Sequence, residues 1–89
     1  MRYNLEFTIK LADKFIKNKE VDPRKYSRIR RCLCEWMRIK SYLINKTPIP
    51  SYGKSAKKNY SELSTALNKL DDYYMDRINY INLLYSKEN

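Results

Sequence analysis

Residues 56–85 read AKKNYSELSTALNKLDDYYMDRINYINLLY. In this stretch Ala56, Tyr60, Leu63, Leu67, Leu70, Tyr74, Ile78, Ile81 and Tyr85 recur at steps of three or four, the spacing that places side chains on one face of an α-helix. The pattern predicts a third helix over about 55–86, and 30 residues at 1.5 Å each give it a length of about 45 Å. A second apolar line, Ala66, Tyr73, Tyr80 and Leu84, runs about 100° around the same helix. Two apolar faces call for two neighbours. Tyr60, Tyr74 and Tyr85 are expected at the core or its edge. Tyr73, Tyr80 and Leu84 suit either packing against the first helix or a partner or homodimer interface.

Working back along the chain, Asp22-Pro23 marks a helix start, because the carboxylate accepts hydrogen bonds from the free N–H groups of a first turn and Pro is preorganised for the first helical position. Ile29, Leu33, Trp36, Met37 and Ile44 then fall on one side of a helix over about 23–45, with Trp36 expected as a core anchor. Thr47-Pro48-Ile49-Pro50 cannot continue it, so a linker is expected over 46–54, with Gly53 as a turn residue.

The first segment has two readings. Tyr3, Leu5, Phe7, Ile9 and Leu11 alternate as a strand would, whereas Leu5, Ile9, Ala12 and Ile16 recur at helical spacing, widened by Leu11 and Phe15. No second strand exists to pair with an isolated one, which favours a helix over about 3–18. The expected fold is therefore all-α: one domain over 1–89, a three-helix antiparallel bundle with a long C-terminal helix, or four helices if that helix breaks in two. The long helix exceeds what the first can cover, so its C-terminal end must either bend or reach beyond the bundle.

Composition agrees. A chain of 89 residues buries only about 60% of the surface it exposes when unfolded, so one economical core is expected. One Gly, three Pro and 43% hydrophobic residues argue against both disorder and a many-turned all-β fold. No apolar run approaches the roughly 20 residues of a membrane span, and the N-terminal residues lack the apolar segment of a signal peptide. Cys32 and Cys34 stand two apart, on opposed sides of a helix, where a disulfide between them is unfavourable. These features suggest a reducing, cytoplasmic setting.

The net charge of +9 is unevenly spread: residues 22–46 carry eight basic and two acidic groups, against six and five over 47–89. Within that middle third, Arg24, Arg28, Arg31 and Arg38 cluster within about 80° of helical arc, opposite Ile29 and Leu33. They form a basic rail about 21 Å long. Lys25 and Arg30 thicken its N-terminal end, where the helix dipole adds positive potential, and Tyr42 continues it as a surface on which a base could stack. Guanidinium groups grip phosphates bidentately, so such a face can follow a nucleic-acid backbone or enter a major groove. Glu35, four residues after Arg31 and three before Arg38, offers the plainer alternative of a salt-bridged, solvated surface.

Catalysis finds little support. The chain has no histidine, which removes the commonest general base and the standard zinc sets. Asp72 and Asp76, one turn apart beside Asp71, lack a third ligand, a nucleophile or a glycine-rich loop nearby; Lys69 offers them a salt bridge. No catalytic residue, metal or cofactor is expected. Two partner classes follow instead: nucleic acid, DNA or RNA, held on the arginine rail; or a protein with an acidic or nucleic-acid-binding groove. The second would make the chain a phage- or plasmid-type inhibitor or immunity protein that blocks a host nucleoprotein complex, for example a CRISPR effector.

Overall fold

The computed structural model describes residues 3–46 and 50–88. Three helices make up the fold: α1 (Leu5–Lys17), α2 (Pro23–Lys46) and α3 (Pro50–Glu88). All three pack on one another, α2 running antiparallel to both α1 and α3. The two-way reading of residues 3–11 resolves as helix from Leu5 onward. Asn4 caps it, its side-chain oxygen accepting the Phe7 N–H at 2.7 Å, and Asp22 likewise accepts the Arg24 N–H at 2.9 Å ahead of α2.

α1 ends in a paired motif in which the N–H of Lys19 donates to the Ile16 carbonyl and that of Glu20 to the Phe15 carbonyl, both at 3.1 Å. The geometry needs a left-handed residue, and Lys19 supplies it with φ 53°. The short turn that follows is fastened to α3, because the Tyr73 hydroxyl donates to the Glu20 carbonyl at 2.8 Å.

The core is built from Ala12 and Phe15 of α1, Ile29 and Leu33 of α2, and Leu63, Ala66, Leu70 and Tyr74 of α3. α1 lies in the cleft between its two longer neighbours, so the middle of its inner face, Thr8, Ala12 and Phe15, is fully buried while Leu5, Ile9, Leu11 and Ile16 form the flanks. Thr8 is the one fully buried polar residue among the described residues, and its hydroxyl donates to the Asn4 carbonyl one turn back. Phe15 meets the ring of Tyr73 edge-on at 5.9 Å. Trp36 is half-buried at the other end, its indole N–H donating to the Tyr3 carbonyl at 3.1 Å.

Three expectations need correction. The third helix starts at Pro50 rather than near 55, since Pro at a first helical position gives up an N–H that has no partner there anyway; Gly53 is helical, and of the expected linker Thr47, Pro48 and Ile49 lie outside the described residues. It does not break into two: α3 is continuous over 39 residues, about 58 Å, and spans the 60 Å long axis of the molecule. The Cα radius of gyration of 16.0 Å accordingly exceeds the roughly 12 Å of a compact chain of this length. Finally, Tyr85 is 66% exposed rather than at the core, because α3 outruns both neighbours beyond Ile78 and its apolar stripe continues into solvent.

Candidate nucleic-acid interface

On α2 the burial of Ile29 and Leu33 fixes which way the helix faces, and 100° per residue then sends Arg24, Arg28, Arg31 and Arg38 to the opposite side. All four are exposed. Tyr42, 63% exposed, stands one turn beyond Arg38 at the same helical angle as Arg24, extending the line to about 27 Å. Arg24, Ser27, Arg28, Arg31 and Glu35 border an open concavity of about 810 Å³ along this face.

Charge pairing divides the basic residues into two groups. The described residues hold two ion pairs, Lys25 with Glu20 and Arg30 with Asp71, the latter at 3.4 Å. Both engage residues expected to thicken the rail. Arg30 lies about 120° around the helix from the rail's centre, toward α3. The Asp71 carboxylate also accepts the Tyr26 hydroxyl and holds the Arg30 guanidinium still further above its ordinary pKa. Arg24, Arg28, Arg31 and Arg38, by contrast, have no carboxylate within 4.0 Å among the described residues, and half-buried Glu35 pairs with neither Arg31 nor Arg38. At the N-terminus of α2 the Asp22 carboxylate sits on the first-turn N–H, which offsets the positive end of the helix dipole there.

A second groove, of about 260 Å³, runs between α1 and α2 and shares Arg24 and Arg28 with the first; Tyr3, Leu11 and Ile29 line its apolar side. Tyr3 packs against Phe7 at a ring-centroid distance of 5.3 Å, and Phe7 is 45% exposed. Sequence reasoning passed over this aromatic pair as a site. Once α1 is helical, Phe7 falls outside the Leu5, Ile9, Ala12 and Ile16 stripe, and an exposed Phe off the packed face was the available signal. Asp71 was also missed as a partner of Arg30, since their contact spans 41 positions of sequence.

The remaining sites fall elsewhere. Tyr73 packs within the bundle between Phe15 and the Glu20 carbonyl, and burial raises its hydroxyl pKa. Tyr80 and Leu84 are exposed on the projecting end of α3, where the Arg77 guanidinium lies 5.7 Å from the Tyr80 ring. Asp72 and Asp76 are exposed on α3. Cys32 is buried, Cys34 half-buried, and both are free thiols. No helix among the described residues is long and apolar enough to cross a membrane. No protein-family model, curated protein or solved structure matches this chain.

Proposed function

We propose that this chain is a non-enzymatic binding protein that holds nucleic acid on the outer face of α2, with Arg24, Arg28, Arg31 and Arg38 gripping successive phosphates. One observation carries the reading: four exposed arginines share one face opposite the core, and none is paired with a carboxylate among the described residues. Four like charges held within a few turns repel one another, and a polyanion relieves that repulsion while releasing its own counterions. Arg30 and Lys25 act chiefly as structural ties in this reading, since each already has an acidic partner. Two free cysteines suit work in a reducing cytoplasm.

The test is fluorescence anisotropy of labelled oligonucleotides titrated with the wild-type chain and with a variant in which all four rail arginines are changed to Gln. The substituted side chains are exposed, so the bundle should keep its helicity and melting behaviour. Binding that survives physiological salt in the wild type and disappears in the variant supports the reading. A folded wild type that binds no oligonucleotide removes it.

A second reading is favoured by the far end of α3, where Tyr80, Leu84 and Tyr85 stand exposed in continuation of the core stripe. Large apolar side chains left uncovered suit docking on a protein, and an inhibitor would use them as anchors while its arginines occupy a groove built for nucleic acid or acidic residues. A one-to-one complex with a purified nucleic-acid-processing protein, formed without nucleic acid and lost on Tyr80→Ala with Leu84→Ala, would support this reading over the first.

A further inference from the structure

We infer that the strand held on the arginine rail is single, with its bases laid on Tyr42 at one end and on the Tyr3–Phe7 pair along the α1 side. The inference rests on the proposed nucleic-acid reading and narrows it. Three observations carry it together.

The first is the shape of the rail. Arg24, Arg28, Arg31, Arg38 and Tyr42 follow a nearly straight line on one helix, about 27 Å from end to end. Each backbone of a duplex winds around the helix axis and would leave a straight rail after a few phosphates. An unpaired strand has no such constraint and can run the whole length.

The second is Tyr42. It is 63% exposed and makes no hydrogen bond or ring contact with the described residues, yet it stands in line with the arginines. An aromatic ring offered to solvent beside phosphate-gripping groups can stack on a base only where that base turns its face outward, which a base stacked and paired within a duplex cannot do.

The third is the flank of the rail facing α1. Arg24 and Arg28 belong to both grooves, and the wall across from them in the second groove includes Tyr3, whose ring packs on the exposed Phe7. A strand whose phosphates lie on Arg24 and Arg28 therefore has aromatic surface on the side toward which its bases would point. The opposite flank of α2 faces α3, and there Arg30 is already tied to Asp71. The shared chemistry is a flexible phosphodiester chain with unpaired bases, which either DNA or RNA provides.

Matched fluorescence-anisotropy titrations of single-stranded DNA, single-stranded RNA and duplex DNA test it, each ligand about 12 nucleotides or base pairs long, near the footprint of a small single-strand-binding domain. The expected result is binding of one or both single strands at least about tenfold tighter than the duplex at equal salt. Tyr42→Ala and Phe7→Ala should each weaken single-strand binding by about fivefold or more, the scale of one lost stacking contact. They should leave duplex binding unchanged, and Tyr42→Trp should retain single-strand affinity. Both positions are exposed, so the variants should fold as the wild type does. Equal affinity for duplex and single strand, or indifference to Tyr42→Ala and Phe7→Ala while the four Arg→Gln changes abolish binding, overturns the inference and leaves the rail standing. A folded wild type that binds none of the ligands overturns both. A preference between the DNA and RNA single strands identifies the source of the strand.

Discussion

Tyr26 and Tyr74 lie face to face, ring centroids 3.9 Å apart and planes within 7° of parallel. Their stack joins α2 to α3 at the edge of the core, next to Phe15, and the Tyr26 hydroxyl donates to Asp71, which also pairs with Arg30. Two α2 side chains, Tyr26 and Arg30, thus meet at one α3 carboxylate, which helps to fix the rotation of α2 and hence the direction in which the rail faces.

Alkaline titration should loosen this junction. Burial first, and the bond to Asp71 second, push the Tyr26 hydroxyl from 10.0 up to about 12. A raised pKa means that the folded state holds its proton more tightly than the unfolded state. The stability it contributes is complete below pH 10 and declines as pH rises through about 12. Denaturant titrations at pH 9 and pH 11 should show a larger loss for the wild type than for Tyr26→Phe, which has no hydroxyl to ionise. At pH 7 the same substitution should cost about 1–2 kcal/mol, since a hydrogen bond to a charged group is lost. Equal losses for the two proteins between pH 9 and pH 11 would count against the coupling.

Lys19 occupies a left-handed conformation that costs a residue with a Cβ about 1 kcal/mol and costs Gly almost nothing. Lys19→Gly should therefore raise stability by about 0.5–1 kcal/mol, visible as a higher denaturant midpoint with unchanged slope. A lower midpoint would mean that the turn between α1 and α2 does not use this conformation.

The stripe on α3 contains residues of two kinds that sequence cannot separate. Leu70 is fully buried and Leu84 is 46% exposed, although both are leucines on apolar lines of one helix. Leu70→Ala should cost about 3 kcal/mol and Leu84→Ala less than about 0.5 kcal/mol in thermal or denaturant unfolding. Similar costs at the two sites would indicate that the end of α3 is covered by something, a second copy included.

That contrast shows where the sequence was readable and where it was not. Periodicity identified three helices and the inward faces of α2 and α3, because the spacing of apolar residues follows directly from helix geometry. Asp22-Pro23 was legible as a start because a cap is a local event between neighbours; Pro50 was misread because the same residue type also ends helices. How far each neighbour reaches is not local, so the stripe alone put Tyr85 with the core although it is exposed. The placement of Arg24, Arg28, Arg31 and Arg38 on one exposed face was legible, since their angle depends on α2 alone. Its pairing was not: Asp71 meets Arg30, and Tyr3 meets the α1–α2 groove, through packing between helices.

The two thiols should differ in reactivity. Cys32 is buried and Cys34 half-buried, with the Arg30 guanidinium 3.9 Å from its sulfur. Under native conditions a maleimide should modify Cys34 first, with Cys32 reacting only as the bundle opens, as peptide mass spectrometry would show. Faster labelling of Cys32 would place it outside the packed side of α2.

The most direct measurement of the central claim is the dependence of oligonucleotide affinity on salt. If Arg24, Arg28, Arg31 and Arg38 each neutralise one phosphate of a single strand, the logarithm of the association constant should fall against that of salt concentration with a slope of about −3. The slope should shrink by close to 0.7 for each rail arginine changed to Gln. A slope near zero, or one that is unchanged when the rail arginines are replaced, would contradict the account.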